Sequence, residues 1–423
     1  MTTPVNDAPA VDVVGVEDED VPAVVSIAVG TTAPDGGTGL PPVAGVAVRG
    51  LRWLGPPAAA LAVFALFLVL KGASPAEAFE GMWRSAFGDG DAVGETLLRT
   101  VPLLMAALAV AVPARAGLFN IGGEGQLLLG AIGAQAMAMA LDGALPSLPT
   151  LVLMALAGMA AGLVWAAIAG GLRVLTGMNE AISSLLLNYL AAILLAWLVF
   201  EPWKDPNSLG QAYSEELVGG ERLPVIWGDR VHVGVLLVVV VPVVLWLVLR
   251  STPWGFKLRV VGGNPEAARR AGLRVGGLGL AAMALGGAIA GLGGMLEVAG
   301  VEGRLRPDML VGFGYIGFLA SWLGRHHPLK AIGASAALAA VAVGGNGLKV
   351  ASGLSGGAVN VLMALVLLAV LGWSQKESKE TRAPSVALRV GLRRSVARAR
   401  PEAAVAGVAV AAGEALDAEG ARA

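Results

Sequence analysis

Long apolar stretches recur along most of this chain, and each is about as long as a membrane is thick. A helix needs about 20 apolar residues to cross the hydrocarbon core, and within lipid only a helix or a closed barrel satisfies its own backbone. Of the 423 residues, 56% are hydrophobic and only 14% are charged, whereas soluble domains carry about 25% charged residues. The sequence therefore predicts an all-α polytopic membrane protein.

About ten segments have the length and polarity of membrane spans. They cover residues 53–70, 97–114, 124–141, 148–171, 180–200, 231–249, 277–300, 311–323, 329–343 and 357–373. The third and the eighth are short or interrupted by glycine, which is typical of broken or re-entrant helices.

The distribution of basic residues predicts the orientation of these spans. Lys and Arg concentrate in cytoplasmic segments of membrane proteins. Arg49 and Arg52 precede the first span, and a basic tail follows the last one, so both termini are predicted to be cytoplasmic. The polar segment 71–95 and the long loop 201–230 are then expected outside.

Two tails differ in composition from the transmembrane domain predicted over residues 49–374. Residues 1–48 mix small residues with an acidic cluster at 17–20, and their apolar residues follow no helical or strand periodicity. This composition predicts a disordered acidic tail. Residues 375–423 form a basic, alanine-rich tail, predicted to be cytoplasmic. The chain has no cysteine, which excludes disulfides, thiolate catalysis and cysteine-ligated metal.

The polar segment 251–276 contains the signals of a short helix. Asn264 can cap the helix, Pro265 suits its first position, Glu266 complements its positive end, and Gly272 can close it. A capped helix in a basic cytoplasmic loop can dock a partner or only connect two spans, and these residues leave both readings open.

The same helix has a small face and a basic face. Ala267, Ala268 and Ala271 form the small face, which suits insertion into a groove, and Arg269 and Arg270 would meet acidic groups at its rim. Isolated helices below about 12 residues are marginal, so this helix must be held by its own chain or by a partner.

The string GFKLRVVGGNPEAARRAGL, residues 255–273, resembles the coupling segment of the permease subunits of bacterial ABC importers. The similar group transports simple sugars, nucleosides and branched-chain amino acids, and the resemblance covers residues 96–373. It implies that the segment 251–276 docks in a groove of a separate ATPase subunit, which binds the ATP, and that this chain needs no cofactor.

A second informative stretch is RAGLFNIGGEGQ, residues 115–126. It brings Asn120, Glu124 and Gln126 to the start of an apolar helix. A carboxylate in a bilayer is costly, so Glu124 is expected to face the protein interior or a wet cavity, and a neighbour such as Arg115 could satisfy it. The string resembles the NIGGEGQ signature of nucleoside and simple-sugar permeases, which implies a place near the translocation pathway.

A third stretch, TGMNEAISSLLLNY at residues 176–189, places Ser183, Ser184 and Asn188 on part of one helix surface. Such residues often bond only to a neighbouring helix, and the alternative is a polar strip that recognises a hydroxylated solute or a nucleobase. The stretch resembles a motif of the same family, and we favour Ser184 and Asn188 as pathway residues. Glu297 is similar in kind, but its place near a span end predicts exposure.

No cluster indicates catalysis or a metal site. His326 and His327 are adjacent in a basic turn, which favours a solvated pair over a metal site. The chain has no GxxxxGK[ST] sequence to bind ATP phosphates.

We therefore interpret the chain as the non-catalytic permease subunit of an ABC importer for a nucleoside or simple sugar, in a bacterial inner membrane. The resemblance implies an ATPase, a second permease subunit (identical or a paralogue), an external substrate-binding lipoprotein and membrane lipid as partners, and no nucleic acid. The alternative is an ion-coupled secondary transporter of a small polar solute.

Overall fold

A computed structural model describes residues 55, 58–208, 210–352, 357–366 and 368–369. Both predicted tails and the end of the last predicted span lie outside these residues. The described helices are α1 (Ala58–Leu70), α2 (Pro75–Phe87), α3 (Gly90–Ala114), α4 (Gly123–Leu141), α5 (Ser147–Thr176), α6 (Glu180–Phe200), α7 (Leu237–Ser251), α8 (Pro253–Gly263), α9 (Pro265–Arg270), α10 (Val275–Glu297), α11 (Phe313–Leu323), α12 (Pro328–Ser352) and α13 (Gly357–Val366).

Within the described residues, 6 helices are long and apolar enough to cross a membrane, and up to 7 if the bent pair α1–α2 forms one span. The prediction of an all-α, multi-pass membrane protein is confirmed. The number of ten spans and the side on which the termini lie stay predictions.

The core is a glycine-lined crossing of α4, α5 and α10. A Cβ on Gly291 of α10 would overlap the Gly158 carbonyl of α5, and one on Gly162 would overlap the Gly287 carbonyl. On α4, a Cβ at Gly130 would overlap Gly291 in the same way. Because lipid removes the hydrophobic drive between helices, such close backbone packing supplies much of the attraction that holds them together. Gly158 and Gly162 of α5, and Gly287 and Gly291 of α10, are each four residues apart, and each pair packs against a neighbouring helix.

The segment 71–95 is more ordered than the expected polar loop. It contains α2, which is capped by Ser74, and the first turns of α3, where the Asp89 carboxylate accepts a hydrogen bond from the Ala92 N–H at 2.8 Å. One face of α2 is buried through Ala78, Met82 and Ala86. This helix was missed because its charged outer face dominates the composition of the segment.

Between α6 and α7 the chain forms a short hairpin and contacts the end of α10. Strand β1 (Val225–Trp227) pairs antiparallel with β2 (Val231–His232). The α-helix α10 ends in a π-helical turn over Val298–Glu302. The Leu223 N–H donates to the carbonyl of Ala299 in this turn at 3.0 Å. The hairpin segment and the end of α10 therefore lie on the same side of the molecule.

Several turns that were predicted to be cytoplasmic meet at the other end. Arg115, after α3, donates to the His326 carbonyl between α11 and α12 at 3.3 Å. The Phe119 N–H donates to the Glu180 carboxylate at 3.0 Å, and Arg173 forms an ion pair with Glu180. The turns after α3, α5 and α11 are thus joined to one another.

Candidate translocation and coupling sites

The segment between α3 and α4 folds back along α3 instead of leaving the helix bundle. The Asn120 side-chain amide donates to the carbonyl of Ala109 at 3.1 Å. A Cβ on Gly123, the first residue of α4, would lie 3.7 Å from Ala106. Ala106 precedes the end of α3 by about two turns, or ~12 Å at the usual helical rise. Helix α4 therefore begins inside the depth of the bundle, as a broken third span would.

Two side-chain amides hold this fold-back. The Asn120 amide N–H donates to Gln126 Oε1 at 3.0 Å, and the Gln126 amide N–H donates to Asn120 Oδ1 at 2.9 Å. Asn120 Oδ1 also accepts from the Gly122 N–H at 3.0 Å. Both side chains are buried, so they satisfy each other and the backbone of the segment.

The polar strip of α6 faces the same segment. Ser184 Oγ accepts from the Ile121 N–H at 3.1 Å. Asn188 accepts from the Gly125 N–H at 2.9 Å and donates to the Ile121 carbonyl at 2.9 Å. Ser184 and Asn188 are buried, so in this conformation they bind protein backbone. Direct contact with a solute stays a prediction for both.

Glu124 joins the start of α4 to the start of α11. Its carboxylate accepts a hydrogen bond from the Gly312 N–H at 2.9 Å, just before α11 begins. A Cβ on Gly314 would overlap the Glu124 backbone. The first turns of two helices therefore converge on one carboxylate, which the positive ends of helix dipoles stabilise. Arg115, the partner considered from sequence, binds His326 instead.

The segment 251–276, which resembles a coupling segment, forms two helices rather than one. Thr252 caps α8 by accepting from the Gly255 N–H at 3.2 Å, and Asn264 caps α9 by accepting from the Glu266 and Ala267 N–H groups, each at 3.0 Å. The cap at Asn264, Pro265 at the first position and the left-handed Gly272 that closes α9 are confirmed. The sequence signal for α8 was Thr252 followed by a proline, the same pattern as for α9.

One part of the predicted small face is wrong. The Ala268 side chain is 0% exposed and belongs to the hydrophobic core of the chain itself. It cannot insert into a partner, because helix α9 uses it to dock on its own protein. Ala267 and Ala271 are exposed, and so are Arg269 and Arg270, both of which pair with Glu266.

The family comparison decides the class of protein. Residues 92–371 match the family described as the branched-chain amino acid transport system, permease component. The chain belongs to this permease family.

Curated relatives of the permease have the same type of name. A glucose ABC transporter permease of Haloferax volcanii is 38% identical over 322 residues, which cover 73% of this chain and 84% of the relative. A guanosine ABC transporter permease of Bacillus subtilis is 30% identical over 313 residues, or 73% and 89% of the two chains. A nucleoside ABC transporter permease of Lactococcus lactis is 26% identical over 293 residues, or 67% and 80%. The resemblance seen in the sequence is thereby confirmed.

The permease has a further candidate pathway residue that the sequence did not single out. Tyr315, in the first turn of α11, is 37% exposed, and its hydroxyl lies 3.5 Å from the Asn188 amide. It is thus a partly exposed aromatic side chain beside the Glu124 junction. The signal was the glycine-rich string GFGYIG at residues 312–317, which was noted only as a weak span.

Two further residues of the permease, an acid and a histidine, are not surrounded by solvent. Glu297 is 3% exposed, so the expectation of an exposed carboxylate is wrong. His326 is not a freely solvated side chain, because its Nδ1 lies 3.0 Å from the Ser321 hydroxyl. Burial, with a smaller contribution from nearby Arg115, lowers the pKa of His326 to about 4. Among the described residues, no group of three His, Cys, Asp or Glu side chains could hold a metal ion.

Proposed function

We propose that this chain is the transmembrane subunit of an ABC importer that moves a nucleoside or a simple sugar into the cell. The observation that carries this proposal is the family membership, together with relatives named for glucose, guanosine and nucleoside transport. The permease supplies no bond chemistry. It would bind the solute differently in two conformations, which a separate ATPase interconverts.

The proposed pathway passes the junction of α4 and α11. Both helices begin within the bundle, and Glu124 bonds across the break at 2.9 Å. Discontinuous helices that meet at their N-termini commonly form solute sites in transporters, because their free N–H groups point at one place. Asn120, Gln126, Ser184 and Asn188 would hold the geometry of this junction, and Glu124 would be the residue nearest the solute.

The proposed ATPase-docking surface is the exposed side of α8 and α9. It includes Ala267, Ala271, Arg269 and Arg270, while Ala268 anchors α9 to the core. A short capped helix held by one buried residue can be pushed as a unit without unfolding. That property suits a segment which must transmit force from a partner.

We further propose ten spans with both termini in the cytoplasm of a bacterial cell, in its inner membrane. The partners would be ATPase subunits, a second permease subunit that is identical or a paralogue, a substrate-binding lipoprotein outside the membrane, and membrane lipid. The alternation of basic and non-basic connections supports this arrangement.

The test is uptake of labelled glucose and labelled guanosine by proteoliposomes that hold the permease, its ATPase and its binding protein. ATP is supplied on the side of the membrane to which the ATPase is bound. We expect uptake of one of these solutes, and no uptake with a non-hydrolysable ATP analogue. Uptake that continues without ATP hydrolysis and stops when an ionophore dissipates the ion gradient would favour the ion-coupled transporter instead. Uptake of neither solute would contradict the proposed substrate classes.

A further inference from the structure

The end of α8 touches the segment that leads to the Glu124 junction, backbone against backbone. A Cβ placed on Gly262 would overlap the Arg115 carbonyl oxygen and would lie 3.3 Å from the Gly117 nitrogen. Gly262 lies in the last turn of α8, two residues before the Asn264 cap of α9. A displacement of α9 therefore reaches this contact through only a few residues.

From that contact, a hydrogen-bonded segment of the chain runs to the Glu124 junction. Residues 115–122 are bonded to α3 through Asn120, to α6 through Ser184 and Asn188, and to the Arg173–Glu180 pair through the Phe119 N–H. The next residues carry Glu124 and its bond to the start of α11. A push on residues 115–117 would thus move a segment whose polar groups are already bonded to its neighbours.

The same contact also borders open space. A cavity of about 390 Å³ lies between α9, the end of α5 and the beginning of α10, and its lining includes Gly117 and Gly262 as well as Arg173, Pro265 and Arg269. Packed interiors transmit strain, whereas a cavity allows a neighbouring element to shift. The cavity therefore leaves α9 and residues 116–118 room to shift together, while the backbone contact at Gly262 keeps them coupled.

We propose that Gly262 is the positioning residue through which motion of the ATPase-docking helices reaches the Glu124 junction. This inference rests on the proposed function and adds the route of coupling. Gly262 is required because any side chain would separate α8 from the Arg115 carbonyl. The neighbouring Gly263 faces open space, since a Cβ there meets nothing within 4 Å.

The test compares Gly262→Ala with Gly263→Ala in the assembled transporter. We expect Gly262→Ala to co-purify with the ATPase and to hydrolyse ATP, but to lose about tenfold in uptake, a typical size for the coupling between two sites. The uptake probe is whichever of glucose and guanosine the wild-type complex transports. Gly263→Ala should match wild type, since both variants add the same methyl group in the same helix.

A second measurement reports the motion itself, and its first comparison uses only the native glycine at position 262, so it does not need Gly262→Ala to fold. Phe119 is 46% exposed, and the chain has no cysteine, so Phe119→Cys carries a unique thiol on the connecting segment. Its rate of maleimide labelling should differ between the nucleotide-free complex and the complex trapped with ATP and vanadate. Gly262→Ala should remove this difference while it still co-purifies with the ATPase, and Gly263→Ala should retain it. A merely destabilised Gly262→Ala would instead fail to co-purify.

Equal labelling rates in the two states overturn the inference, and so does normal uptake by Gly262→Ala. These failures are separate from failure of the proposed function, in which the wild-type chain itself would show no ATP-dependent uptake.

Discussion

At the scale of single residues, Glu124 is the side chain with the most specific geometry. Its carboxylate satisfies the Gly312 N–H at the start of α11. Glu124→Ala leaves that partly buried donor without a partner, which costs about 1–3 kcal/mol. We expect this cost to fall on the conformation described here. Since ~1.4 kcal/mol shifts an equilibrium tenfold, uptake should fall by about tenfold or more, while the protein still reaches the membrane. The measurement is uptake per membrane-inserted permease.

Two controls separate the possible roles of this carboxylate. Glu124→Gln keeps an oxygen acceptor for Gly312 and removes the charge, so recovery of uptake in this variant would assign the role to the hydrogen bond. Glu201→Ala removes an exposed acid after α6 and should leave uptake unchanged. Normal uptake by well-expressed Glu124→Ala would end the pathway assignment.

Asn188 tests whether a buried polar strip can also set solute affinity. Asn188→Leu removes the acceptor of the Gly125 N–H and the donor to the Ile121 carbonyl, and each unsatisfied group costs about 1–3 kcal/mol. We expect a lower unfolding temperature of the solubilised permease and an altered affinity for the transported solute. Association with the ATPase should not change, because the proposed docking helices α8 and α9 lie elsewhere in the chain.

The matched control for this variant is Tyr189→Leu, one residue further along α6. Tyr189 is 61% exposed, so its replacement should change neither the unfolding temperature nor the affinity. If Asn188→Leu also leaves both quantities unchanged, the strip has neither the structural nor the pathway role.

At the scale of elements, α9 combines an anchoring face with a free face. Ala267→Trp adds a large ring on the exposed face and should prevent co-purification with the ATPase, while the unfolding temperature of the permease stays the same. Ala268→Trp places the ring in the core, where overpacking costs about 1–3 kcal/mol, and should lower the unfolding temperature. Arg270→Glu should weaken docking less than Ala267→Trp, and the loss should depend on salt because exposed ion pairs are screened. Normal co-purification and coupling of Ala267→Trp would show that α9 is only a connector.

The crossing of α5 with α10 gives a second test at this scale. Gly162→Ala would overlap the Gly287 carbonyl, whereas Gly171→Ala in the same helix meets nothing within 4 Å. Overpacking predicts a loss of about 1–3 kcal/mol for the first variant, and helix propensity predicts a gain of up to ~1 kcal/mol for the second. The unfolding temperatures of the two solubilised variants should therefore move in opposite directions. Equal shifts would mean that this crossing is not tightly packed.

At the scale of the whole molecule, features set by neighbouring residues could be predicted from the sequence, whereas contacts between residues far apart in the chain could not. The cap at Asn264 depends on neighbouring residues, so its sequence pattern was sufficient. The bond from Glu124 to Gly312 joins positions 188 residues apart, and a pattern in either stretch does not name the other. Burial of Ala268 was missed for a related reason, because a six-residue helix is too short for its sequence to show which face its own protein covers.

The orientation of the whole chain gives the last prediction, and the lack of cysteine makes it direct. Met178, between α5 and α6, is 46% exposed and predicted to be cytoplasmic, whereas Ile226, on β1, is 52% exposed and predicted to be external. In intact cells, a membrane-impermeant maleimide should label Ile226→Cys and should label Met178→Cys only after permeabilisation. Both variants should react fully in detergent, which controls for burial of the thiol. Because α6 alone separates the two positions, labelling of both from outside would mean that α6 does not cross the membrane, and the reverse pattern would invert the entire permease and place the proposed ATPase-docking surface outside the cell.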